Sequence, residues 1–227
     1  IIVSVIAGVL MMVYLPSTSE LNQVQRQWGS TSNKQPNTSK ILRPVEVVKY
    51  LAITFLILVA NSVTFVYINP LILNHGHQMG FVSLALLVNG IAGVIGTSLG
   101  GILADKLSSK RWLIIAFSIF IVMMLIMNLI LHTVTLLLIG LFIWNIVQWS
   151  TNPAIQSGMI EHVEGDTSQV MSWNMSSLNA GIGFGGIIGG LVVSNISVQA
   201  VTIVSAMVGA MGLIIVLSLK NMSYIKN

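Results

Sequence analysis

Four amides on one stripe are the residues best placed to do chemistry. Asn145, Gln148, Asn152 and Gln156 stand at i, i+3, i+7 and i+11, with Trp149 beside them and Trp144 adjoining. In a helix that spacing puts them on one face. The run that carries them, Val134 to Gln156, has no Asp, Glu, Lys or Arg. An amide left unbonded in an apolar medium costs about 2–7 kcal/mol, so the stripe faces protein or a water-filled cavity. Two kinds of work fit it: hydrogen bonding between helices, and lining a path for a polar solute. Pro153, inside the stripe, removes a backbone hydrogen bond and marks a bend that could gate such a path. Asn61, Thr64 and Tyr67 form a second set at i, i+3 and i+6, with Ser62 and Asn69 nearby. Ser172, Ser176 and Asn179 make a third polar arc.

Covalent chemistry has no such foundation. The chain has no cysteine and four histidines, which excludes disulfides, thiolate nucleophiles and Cys-ligated metal. His75 and His77 share a short loop without a nearby third ligand, so no metal site is expected there. His132, in a two-residue turn, and His162, among acids, are expected to be solvated. Since the apolar runs hold no His, Asp, Glu or Cys, no nucleophile–base pair can form inside them. An enzyme and a bound cofactor are therefore not expected. Nor is a channel, which would need a charged ring or a filter loop.

The elements that position these residues are six apolar runs: Tyr50 to Leu73, Phe81 to Ala104, Trp112 to Leu131, Val134 to Gln156, Val170 to Val193 and Val201 to Leu219. Hydrophobic residues make up 55% of the chain and charged residues 7%, against roughly 25% charged in a water-facing domain. Each run is about twice a barrel strand in length and lacks strict alternation, so six transmembrane helices are predicted. All ten Lys and Arg fall on one side of the membrane that these spans imply. By the positive-inside rule that side is cytoplasmic. The net charge of +4 is thus an orientation signal and not a nucleic-acid footprint. Trp112, after Lys110-Arg111, and Trp173 are placed as interfacial anchors.

The predicted fold is an all-α membrane protein, a six-helix transmembrane bundle preceded by the end of another span. Residues 1–15 begin at Ile1 inside an apolar run about 22 Å long as a helix, short of a hydrocarbon core of about 30 Å. They are read as the truncated end of a preceding span of a longer protein. Residues 16–49, rich in Ser, Thr, Asn, Gln and Pro, read as a flexible cytoplasmic linker. Residues 50–219 form the bundle and 220–227 a cytoplasmic tail.

The segment from Gly100 to Arg111 reads GGILADKLSSKR. Gly100 and Gly101 permit close helix approach. Asp105 can accept hydrogen bonds from a helix N-terminus, and Lys106, Lys110 and Arg111 supply charge at the membrane edge. This resembles the Gly-x-Leu-Ala-Asp-Arg-x-Gly-Arg-Arg loop of the major facilitator superfamily, in its second copy between spans 8 and 9. Gly101, Leu103, Ala104, Asp105, Lys106, Lys110 and Arg111 match in kind, whereas Ser108 stands for the usual Gly and Ser109 for the first basic residue. Pro153-Ala154-Ile155-Gln156, then Asn179 to Gly190, is similar to spans 10 and 11 of the twelve-span drug–proton antiporter branch, especially its arabinose-efflux-permease-like members. Read alone, Gly181, Gly185 and Gly189 form one small-residue stripe and Gly186 with Gly190 another, both suited to close helix packing. Asp166-Thr167-Ser168-Gln169 resembles a capping box.

The resemblance implies the second half of a twelve-span transporter, spans 7 to 12, monomeric as a whole protein and resident in the cell membrane. It implies proton-coupled efflux of a small organic solute such as a drug or sugar, by alternating access of two six-span bundles. Spans 7 and 10 would line the central cavity. The candidate path residues are Asn61, Thr64, Tyr67, Trp144, Asn145, Gln148, Trp149, Asn152 and Asn179. Gly101, Asp105, Lys106, Lys110 and Arg111 would form a conformational latch. Pro153, Gly181, Gly185, Gly189 and Gly190 would serve packing and gating. Proton-coupling charges would lie outside this sequence. An uptake permease and a non-transporting membrane scaffold are the alternatives.

Overall fold

The computed structural model describes residues 40–76 and 78–220. The truncated span, the linker up to residue 39, His77 and the tail beyond Lys220 lie outside the described residues. A two-residue strand β1 (Lys40–Ile41) pairs antiparallel with β2 (Val163–Glu164), Lys40 opposite Glu164 and Ile41 opposite Val163. Between and after them run helices α1 (Pro44–Phe65), α2 (Ile68–Leu73), α3 (Met79–Leu107), α4 (Ser109–Ile130), α5 (Val134–Ile160), α6 (Ser168–Asn195) and α7 (Ala200–Leu217). All but α2 are long and apolar enough to cross a membrane. With 29 residues, α3 extends over about 43 Å.

Two boundaries differ from the sequence reading. Residues 40–48 are ordered into β1 and the first turn of α1, because Pro44 fits the first helical position, where no donor is needed. The span expected to run unbroken to Leu73 stops at Phe65. Pro70 cannot donate to the carbonyl of Val66, and the chain restarts as α2 after Tyr67.

The helices pack in pairs: α1 against α6 and α7, α3 against α5, and α4 against both α5 and α7. Small residues set the closest approaches. A Cβ on Gly181 would sit 2.7 Å from the carbonyl of Phe55, and one on Gly185 2.7 Å from that of Val59. Gly96 and Gly100 similarly seat α3 on the backbone of Ile146 and Ser150 in α5, while Gly101 faces open space. The core of Ile53, Ile57, Leu113, Phe117, Phe120 and Met124 is fully buried where α1, α4 and their neighbours meet. Trp112, expected at the interface, belongs to this core, because the first turn of α4 turns it inward. Among the described residues its indole N–H has no partner. At the start of α6, Asp166 Oδ1 accepts from the Ser168 amide at 2.9 Å and its hydroxyl at 2.6 Å. These bonds hold the Asp166 carboxyl below its usual range; Thr167, directly before the helix, makes no side-chain cap bond.

Candidate functional site

A cavity of about 410 Å³ opens between α1, α3, α5 and α6. Its polar wall is Asn61, Asn89, Asn145, Gln148, Thr151 and Asn152, with Ser62 beside Asn61. Leu58, Phe65, Val66, Leu178 and Ile182 form the apolar wall, and Trp149 closes one side. Among the described residues, none that lines it carries a charge.

The amide stripe of α5 builds most of this wall, because the turn spacing brings Asn145, Gln148 and Asn152 to one face. Asn145 donates through Nδ2 to its own helix, at the carbonyl of Leu141 (2.7 Å), and Gln156 donates to Asn152 Oδ1 at 3.2 Å. Two acceptors differ. Asn61 Oδ1 and Gln148 Oε1 are buried and, among the described residues, have no partner. A buried amide oxygen without a donor costs about 1–3 kcal/mol, and neither oxygen is open to a water-sized probe in this conformation. Pro153 sits inside α5 without ending it.

Several expected path residues lie elsewhere. Thr64 is fully buried on the far side of α1, donating to the Val201 carbonyl and bonding Ser205 at 2.7 Å, so it ties α1 to α7. Tyr67, at the break after α1, donates to the Gly186 carbonyl at 3.2 Å and packs over Gly189 and Gly190. Trp144 is 0% exposed and meets Phe65 edge-on at 6.3 Å. It backs the cavity without lining it. Asn179 is exposed and donates along α6 to the Met175 carbonyl. The period that gathers Asn145, Gln148 and Asn152 says nothing of which face of α1 looks inward, and this misplaced Thr64 and Tyr67.

Asn89 is the residue that sequence reasoning missed. It is a lone amide in an otherwise apolar stretch of α3, so no stripe announced it. Its Oδ1 accepts from the Trp149 indole N–H at 3.3 Å, linking α3 to α5 across the cavity rim. Asn174 was missed too: it is buried and accepts at 2.7 Å from Thr54, which joins α6 to α1.

The charged loop divides into two groups. Asp105, Lys106 and Arg111 line a crevice with Ser157 and Glu161, and among the described residues Asp105 makes no ion pair. Burial pushes the Glu161 carboxyl above its usual range. Lys110 instead donates to the carbonyls of Leu217 and Leu219, at the end of α7. Lys49 joins it there, donating to Ser218 at 2.9 Å and to Glu46 at 3.0 Å, while Glu46 accepts from the amide of Lys220. Ser108, at the turn, has φ +75°, a conformation that disfavours every residue but glycine.

His162 is 1% exposed rather than solvated, its ring 5.9 Å from that of Tyr50. Burial holds it below the usual imidazole range. His75 bonds the Leu71 carbonyl and meets His132 at 5.1 Å. Among the described residues no three potential ligands cluster for a metal.

The model of the Major Facilitator Superfamily matches residues 1–168. The chain belongs to the major facilitator superfamily. Within that superfamily it is 33% identical to an uncharacterized MFS-type transporter of Bacillus subtilis (strain 168), over 73% of this chain and 42% of that protein. It is 26% identical to a probable sugar efflux transporter of Helicobacter pylori (strain J99 / ATCC 700824), over 92% of this chain and 52% of that protein. A similarly named protein of Helicobacter acinonychis (strain Sheeba) is also 26% identical, over 93% and 51%. The chain thus spans about half the length of the superfamily relatives it matches.

Proposed function

We propose that this chain supplies half of a secondary transporter that exports a small uncharged organic solute by alternating access. The observation that carries the reading is the cavity. Five amides converge on one space whose lining holds no charge among the described residues. Asn61, Asn145, Gln148, Trp149 and Asn152 make the solute contacts, and Asn89 holds Trp149 in place.

The efflux direction is supported by the Helicobacter relatives, which are named probable sugar efflux transporters. The energy source is a proton gradient. Its coupling groups lie outside the cavity described above, since that wall holds nothing that titrates near neutrality. The protein sits in the cell membrane with the Lys110 end cytoplasmic, as the grouping of its cations argues. Asp105, Lys106 and Arg111 form a latch that closes against another part of the whole protein during the cycle.

Everted vesicles from cells making the natural full-length protein test the reading. An acidified lumen should release protons when a transported drug or sugar is added. No response across a broad panel of both would leave a non-transport role in its place.

A further inference from the structure

We infer that Trp149 is a preformed stacking platform that selects ring-shaped, hydroxyl-bearing solutes; the inference rests on the transport reading above. The indole is 46% exposed and lines the cavity. A Cβ built on Gly93 would lie 3.3, 3.4 and 3.5 Å from Nε1, Cε2 and Cδ1 of that ring. Three ring atoms at nearly one distance mean that the five-membered ring lies flat over Gly93. Gly96 seats the stem in the same way, since a Cβ there would be 3.0 Å from Trp149 Cβ. Asn89 then fixes the ring's rotation by accepting its N–H at 3.3 Å.

One face of the indole is therefore covered by α3, its only donor is occupied, and the other face is offered to the cavity. What it can offer is a flat apolar π-surface. Such a surface holds the C–H face of a saturated ring or another ring, and gains little from a flexible open chain. Elsewhere on the wall, Asn61, Asn145, Gln148 and Asn152 bring amide groups, which exchange hydrogen bonds and carry no net charge. The matching solute has hydroxyl donors at its edge and C–H groups on one face, as a pyranose does. A carboxylate would find no cation among the described lining residues.

Gly93 and Asn89 act through Trp149 and are positioning residues. Gly93→Ala would push the ring from its seat, and Asn89→Leu would release its rotation. Proteoliposomes holding the full-length protein are given xylose, glucose and galactose, each beside the open-chain alditol of the same carbon count. The wild type should prefer at least one pyranose to its alditol by about tenfold in kcat/KM, the discrimination that a good aromatic contact supplies. Trp149→Leu should reduce that preference to within about twofold, mainly through a raised KM for the pyranose. Trp149→Phe should retain most of it, and Gly93→Ala and Asn89→Leu should fall between. No pyranose preference in the wild type, or one that survives Trp149→Leu, overturns the platform. Proton release by other solutes would in that case leave the transport reading standing.

Discussion

The bundle treats polarity differently in its middle and at its basic end. In the middle, polar groups are neutral amides and hydroxyls, and among the described residues Asn61 and Gln148 keep buried oxygens without partners. At the end, Glu46, Lys49 and Lys110 are charged and already engaged, all three bonded to residues 217–220. A helix C-terminus presents orphan carbonyls and a partial negative charge. Two lysines from α1 and α4 answer both needs, which fixes α7 to the rest of the bundle. The amides of the cavity wall bond only neutral neighbours, as Asn145 does the Leu141 carbonyl and Asn152 the Gln156 amide, and no charge ties them in place. The difference separates what holds this fold from what works in it.

That separation can be broken at several points. The largest effect is expected at Gly100, where an added side chain would run into the backbone of Ser150. Gly100→Val should part α3 from α5 at a cost of at least about 3 kcal/mol, seen as a lost melting transition or lost membrane insertion. A normal melting point would show that the α3–α5 seam does not set the cavity.

Lys110 and Asp105 sharpen the comparison within one loop. Lys110→Met should lower stability by about 1–3 kcal/mol through two lost charge-assisted bonds. Asp105→Asn should leave stability and insertion intact while impairing transport. The reverse pattern would mean that the latch and the tie have been exchanged. A smaller gain is expected at the turn between them. Ser108→Gly relieves a backbone held at φ +75° and should raise stability by about 1 kcal/mol.

The smallest effect concerns His162, which faces Tyr50, Glu46 and Arg43. Its folded pKa is depressed by burial, so the neutral form is the one the fold keeps. Its contribution is present above the ordinary imidazole pKa of about 6.5 and is lost as pH falls through the lower folded value. Melting temperature should drop over that acid range, and His162→Gln should flatten the slope. An unchanged slope would assign the acid sensitivity to another group.

How far this was legible in the sequence depends on the kind of signal. The six apolar helices were, because hydrocarbon length and the absence of charge leave little choice. Asn145, Gln148 and Asn152 were, because a 3.6-residue period survives in one dimension. Thr64 was misread for a physical reason: a hydroxyl can bond Ser205 across a helix seam as readily as it can face water. Asn89 and its hold on Trp149 depend on a contact between residues sixty positions apart, which no local pattern encodes. The start of α1 was hidden because Glu46 and Lys49 look like linker charge until the end of α7 is brought beside them.

The central claim is that Asn61 faces a solute and Thr64 does not. The sequence in hand contains no cysteine, so a thiol placed in this region is distinctive. Asn61→Cys and Thr64→Cys, each in a full-length protein otherwise free of cysteine, can be titrated with a small maleimide with and without a transported solute. The account predicts rapid alkylation at Asn61→Cys, slowed several-fold by the solute, and little alkylation at Thr64→Cys with or without it. Equal labelling of the two, or labelling at Asn61→Cys that the solute leaves unchanged, would contradict it.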